Sequence, residues 1–168
     1  MACSINAIGG AFNRSPRYDL FPVEEQHLTQ AEETYSLSKW VLEQQANAFT
    51  GCFEWRSIAN LRLHLLIDTH EAALRPTTGM GEYATRPLQA YTLSSEGKGA
   101  CLFSLTADSA GYYVFYVVAP NTATSDPFLE LERQDYPHSK ICRDLSNQIG
   151  FFNCSKATRL YGWQNKEN

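Results

Sequence analysis

Tyr35 and Lys39 stand four residues apart in the stretch YSLSKWVLEQQ, from Tyr35 to Gln45. On a helix that spacing puts both side chains on one face, one turn apart. A lysine ammonium beside a tyrosine hydroxyl favours the phenolate, because an opposite charge stabilises the ionised form. Such a tyrosine can take a proton from an alcohol or return one to a carbonyl. The spacing alone is weak evidence: with nine tyrosines and five lysines in 168 residues, chance gives roughly one Y-x-x-x-K in every four such chains. A second copy exists, Tyr136-Pro137-His138-Ser139-Lys140. There Pro137 pushes Tyr136 out of helical geometry, so that pair is not expected to share a face. Ser4 is a third candidate. It lies in CSINAIGG, at the end of an apolar stretch, and ligands of α/β proteins bind at the carboxyl edge of strands. The plainer readings are an exposed helix pair for Tyr35 and Lys39, and a loop serine capping its own backbone for Ser4.

The elements that must position these residues alternate between helix and strand. CSINAIGG reads as the end of a buried strand opening into a loop at two glycines. Residues 11–30 read as loop, punctuated by Pro16 and Pro22. A helical pattern runs from about Ala31 to Phe49, with Thr29 as N-cap, Glu32 as its capping-box partner and Gly51 as the stop. Ser57 to Ile67 reads as a buried strand, followed by an irregular loop. Residues 94–108 read as a second helix, weakened by Gly97 and Gly99. The aromatic and β-branched run YYVFYVVAP at 112–120 reads as a strand. DPFLELERQDY at 126–136 reads as a short helix, and SKATRLYGW as a last one stopped by Gly162. The pattern is that of an α/β protein, with two full strands and one strand stub.

Composition narrows the function classes. Hydrophobic residues make up 43% of the chain and charged residues 19%, which suits a globular domain. The net charge of −4 and the lack of a basic stripe argue against a nucleic-acid partner. The most apolar run is too short to span a bilayer, and the first residues do not read as a signal peptide. Five scattered cysteines without a C-x-x-C read as reduced thiols rather than a disulfide framework or zinc site. His27, His64, His70 and His138 are also scattered, so no metal is expected. A soluble cytoplasmic protein is the expectation.

Taken together, SINAIG, QAEETYSLSKWVLEQQ and SIANLRL resemble the extended short-chain dehydrogenase/reductase family, whose members are NAD-dependent epimerases, dehydratases and sugar or uronate dehydrogenases. The family places a catalytic serine at the end of a central strand, a few residues before a glycine. Ser4, five residues before Gly9, matches that position, and Tyr35 and Lys39 match the family's tyrosine and lysine. Leu61-Arg62 matches its strand with an LR pair. The tail FFNCSKATRLYGWQ is similar to its closing stretch. YTLSSEGKGACLFSL is similar to its later helix, with Leu93 and Glu96 in place of the usual acids.

The resemblance implies Tyr-assisted hydride transfer with NAD or NADP on a sugar or sugar-acid substrate. Tyr35 would be the general acid/base. Lys39 would hold the nicotinamide ribose and ease ionisation of the tyrosine, so both belong to the cofactor side. Ser4 would hydrogen-bond the substrate, and Asn6 would face it. Arg62 is expected to anchor its strand. The family's opening strand and G-x-x-G-x-x-G turn have no counterpart here. The nearest match, Gly79 to Ala84, follows a loop. The implied architecture is therefore the C-terminal part of a Rossmann-like parallel sheet, truncated before its first four strands, with a small α/β substrate-binding region. Residues 1–70 would be the remnant of the dinucleotide domain carrying the serine, tyrosine and lysine. Residues 71–168 would be the substrate-binding region, including a returning strand near 112–118. A homodimer through the Tyr-Lys helix is a possible assembly. The alternative function is a non-catalytic interaction or dimerisation remnant.

Overall fold

The computed structural model describes residues 1–74, 88–108, 110–124, 130, 132–133, 136–142 and 150–164. At its centre is a three-stranded parallel sheet. β1 (Ala2–Ser4) pairs with β3 (Ser57–Leu63), which pairs with β6 (Gly111–Val117). The register sets Ser4 beside Leu63, and Leu63 beside Val117. Two short parallel pairs flank it. β2 (Leu20–Phe21) runs beside β7 (Lys140–Ile141), and β4 (Leu66–Ile67) beside β5 (Thr92–Leu93). The helices are α1 (Thr34–Cys52), α2 (His70–Ala73), α3 (Ser94–Thr106) and α4 (Ser155–Tyr161). The sequence predicts one stub and two longer strands, and the sheet has them, each of the longer two being seven residues.

Alternation along the strands decides what covers each face. Ala59 and Leu61 of β3, with Phe115 and Val117 of β6, pack against Ala100 of α3, Ala157 of α4 and Trp163. Asn60, Arg62 and Tyr116 turn the other way, and Arg62 meets α1. Both faces are thus buried, as parallel sheets require. A second core joins Ile5, Ile8, Tyr18, Phe21, Tyr136 and Phe151, and so ties the loop after β1 to the C-terminal third.

Four expectations shift. α1 begins at Thr34 rather than Ala31, and Thr29 is not its cap. The Thr29 hydroxyl donates to the Ala7 carbonyl at 2.8 Å, while the Glu33 carboxylate accepts from the backbone N–H groups of Tyr35 at 2.6 Å and Ser36 at 2.5 Å. A glutamate one residue before the helix reaches the free amide groups that the threonine cannot. Glu32 closes no capping box. Its carboxylate accepts from the Arg14 amide at 3.0 Å, pinning the loop instead. Gly51 does not stop the helix, which runs through it to Cys52, with the rings of Phe49 and Phe53 packed at 4.7 Å. The strand expected over Ser57 to Ile67 breaks after Leu63, because the His64 amide leaves the ladder for the Thr92 hydroxyl at 2.9 Å. The closing helix does end at Gly162, whose φ of 68 is the left-handed conformation that glycine adopts without strain. The helix expected at 126–136 and the glycines at 79 and 81 fall largely or wholly outside the described residues.

Candidate active site

Ser4 ends β1 at the carboxyl edge of the sheet. It is also the N-cap of a single 3-10 turn, Ile5–Ile8, and its hydroxyl accepts from the Asn6 amide at 3.2 Å. The backbone-capping role and the edge position therefore coexist. Asn6 is buried, and its side-chain carbonyl has no hydrogen-bond partner. Such an orphan acceptor costs stability unless something satisfies it. Gly9 closes the turn at φ 80, where a Cβ would stand 2.8 Å from the Gln30 backbone. Only glycine lets the segment before α1 pass so close. That segment is laced to the turn: the Gln30 amide donates to the Ile8 carbonyl at 2.9 Å, and the Asn13 side chain donates to the Gln30 carbonyl at 2.7 Å.

This lacing brings the start of α1 to the end of β1. Tyr35 is 43% exposed, its ring meets Phe12 edge-on at 5.7 Å, and its hydroxyl has no hydrogen-bond partner among the described residues. The Lys39 ammonium lies over the Tyr35 ring, 5.3 Å from its centroid, a cation–π geometry. One residue from Ser4, the Cys3 thiol reaches toward the Lys39 carbonyl at 3.9 Å. The structure thus sets the 3-10 turn that carries Ser4 and Asn6 beside the helix that carries Tyr35 and Lys39. It shows no hydrogen bond linking Ser4 to Tyr35 or Lys39. Tyr136 and Lys140 share no helix: Tyr136 is buried among Tyr18, Phe21 and Phe151, and Lys140 begins β7.

Beneath this junction is a charged cluster. The Arg62 guanidinium donates two hydrogen bonds to Glu43, each 2.8 Å, and a third to the Tyr116 hydroxyl at 3.0 Å. Burial opposes the Arg62 charge, but Tyr116 and Glu43 outweigh it and hold the group above its ordinary range. The Cys3 thiol is pushed up to about 12, by burial first and then by the Glu43 charge. Arg62 does anchor its strand, as the sequence suggests. Glu43 was not singled out there, although it follows Lys39 by one helical turn on a face that must be buried. A second polar cluster, His70 with Tyr91 at 2.6 Å and Asn121 at 3.2 Å, also gave no sequence signal, since its members come from distant segments.

Among the described residues, no group of three or more His, Cys, Asp or Glu could hold a metal ion. No helix there is long and apolar enough to cross a membrane. All five cysteines are free.

No protein-family model matches the sequence, and no curated protein does. Solved structures do match. MoeE5 in complex with UDP-glucuronic acid and NAD is similar at a TM-score of 0.59 and 16% identity, over 99% of this chain and 59% of that one. UDP-glucose-4-epimerase from Stenotrophomonas maltophila, with bound NAD and formylated UDP-arabinopyranose, gives 0.59 and 18%, over 99% and 58%. RMD from Pseudomonas aeruginosa complexed with NADPH gives 0.60 and 15%, over 99% and 60%. At such identities the likeness is one of fold. The protein has the α/β architecture of the C-terminal part of these Rossmann-like folds, and it spans about three-fifths of their length.

Proposed function

We propose that this chain carries the proton-transfer and substrate side of an NAD(P)-dependent oxidoreductase, epimerase or dehydratase acting on a sugar or sugar-acid substrate. The observation that supports it most is the exposed Tyr35 with the Lys39 ammonium over its ring, on the helix whose start is laced to the turn that Ser4 caps. In this reading Tyr35 takes the proton from a substrate alcohol, or returns it to the carbonyl. Ser4 hydrogen-bonds the same oxygen, and the unpaired Asn6 carbonyl accepts from a neighbouring sugar hydroxyl. Residues 1–70 supply these groups, and residues 71–168 shape the substrate side.

The residues present fit one end of a dinucleotide. Lys39, half-buried at the carboxyl edge, would hold the nicotinamide ribose, with Tyr35 beside it. NAD or NADP, when bound, supplies the hydride acceptor and donor. The five free thiols fit a cytoplasmic setting. The test is to incubate the chain with NAD and UDP-glucose or UDP-glucuronic acid and follow both NADH fluorescence, which reads net oxidation, and the sugar products by chromatography, which reads a redox-neutral epimerisation or dehydration. Tyr35→Phe should lower turnover by about 10²–10⁴-fold, the usual contribution of a positioned acid/base, while the melting temperature stays. Undiminished turnover in that variant would overturn the assignment.

One observation favours the interaction reading. Leu37 and Val41 are exposed one turn apart on α1, and Phe49 and Phe53 are exposed at its far end. Apolar side chains left exposed on this helix suit a homodimer through it. Sedimentation decides it: a clean monomer at micromolar concentration would count against the interface.

A further inference from the structure

We propose that Glu43 and Arg62 are positioning residues for Tyr35 and Lys39, rather than only a structural pair. The inference rests on the proposed role of that tyrosine and lysine. Tyr35, Lys39 and Glu43 succeed one another by one turn each along α1, and their burial deepens in the same order, from exposed to half-buried to buried. The stripe that begins at the exposed Tyr35 therefore ends in the core. There Glu43 receives both Arg62 bonds of 2.8 Å from β3 and the Cys3 thiol at 3.3 Å from β1. Arg62 also donates to the Tyr116 hydroxyl of β6 and, at 3.2 Å, to the Glu25 carbonyl. One ion pair thus ties α1 to all three strands of the sheet. A two-pronged bond fixes direction as well as distance. A helix turned or slid on the sheet would break it and shift Tyr35 from its contact with Phe12. Misplacement by about 1 Å costs a reacting group roughly 10²-fold.

The test separates position from stability. Replacing a buried ion pair by apolar residues of similar size is often neutral for folding, so the double variant Glu43→Leu/Arg62→Met is the variant to examine. With 3-fluorotyrosine incorporated at Tyr35, its fluorine resonance reports the ring's contacts with Phe12 and Lys39. Positioning predicts a native-like melt together with a resonance displaced at least as far as by Lys39→Met. A resonance unmoved within its linewidth in the folded double variant would overturn the proposal. Should that variant fail to fold, Arg62→Lys keeps the charge and loses the fork, and it is judged by the same displacement. Titration of the unsubstituted chain with NADH runs alongside. Lack of saturable NADH binding would overturn the proposed chemistry of Tyr35, while the fluorine result still decides the positioning role.

Discussion

The Cys3 thiol of β1 donates to the Glu43 carboxylate of α1 at 3.3 Å, joining the residue before Ser4 to the helix that carries Tyr35 and Lys39. A thiol in that place is held as a thiol: burial and the neighbouring carboxylate push Cys3 up to about 12. Cys154 is pushed up to about 12 as well, chiefly by burial. Cys52, Cys101 and Cys142 are exposed. Since the thiolate is the nucleophile, alkylation of the native chain with iodoacetamide should modify Cys52, Cys101 and Cys142 well before the other two. Peptide mass spectrometry reads the order. Early labelling of Cys3 would mean that α1 does not stay seated on β1.

Removing one member of the Glu43–Arg62 pair should be far worse than removing both. Either Arg62→Met or Glu43→Leu alone leaves a buried, uncompensated charge, which costs about 3–5 kcal/mol. The double variant should lose much less. Denaturant unfolding of the three variants measures the non-additivity, and a loss in the double equal to the sum of the two single losses would argue that the pair is not coupled in the folded chain.

Glu33→Ala should destabilise the chain by about 1 kcal/mol, because two amide groups at the start of α1 lose their acceptor. Burial alone would raise the Glu33 carboxyl, but its bonds with Ser36 and Tyr35 win and hold it below its ordinary 4.5. The contribution is therefore present above pH 4.5 and fades as pH falls through the lowered value. Thermal melts of both proteins should differ at pH 7 and converge in acid.

Glu25 has the opposite sign. Burial raises its carboxyl above 4.5, against bonds from the backbone and the nearby charges of Lys156 and Arg62. Its ionisation is disfavoured in the fold, so the stability it contributes is full below pH 4.5 and is lost as pH rises through the raised value. Glu25→Gln keeps an oxygen for the Tyr116 amide, which now donates to Glu25 at 3.2 Å. That variant should melt higher than the parent at pH 7 and equally at pH 4. A lower melt at pH 7 would contradict this account.

Much of the fold was legible because a strand buried on both faces writes a near-continuous apolar run, as in Tyr113 to Val117, and because Ala59, Leu61 and Leu63 alternate with the polar Asn60 and Arg62 on β3. The helix of Tyr35 was legible from its period. Its start was not, since Thr29 and Glu32 fit a local capping rule, and only the loop folded against the 3-10 turn shows their hydroxyl and carboxylate to be occupied elsewhere. The pairing of Leu20–Phe21 with Lys140–Ile141 joins segments far apart in the chain, beyond the reach of any local pattern. Glu43 was hidden for a related reason. A lone carboxylate on a helix reads as solvated until the arginine of another element is seen to meet it.

In the proposed function Tyr35 and Lys39 face a dinucleotide's nicotinamide end. Isothermal titration of the chain with NADH, alongside a thermal melt and repeated with Lys39→Met, tests it most directly. Saturable binding and a raised melting temperature are expected, with affinity weakened at least tenfold in the variant. A cooperative melt with no saturable heat, or equal affinity in both proteins, would contradict it.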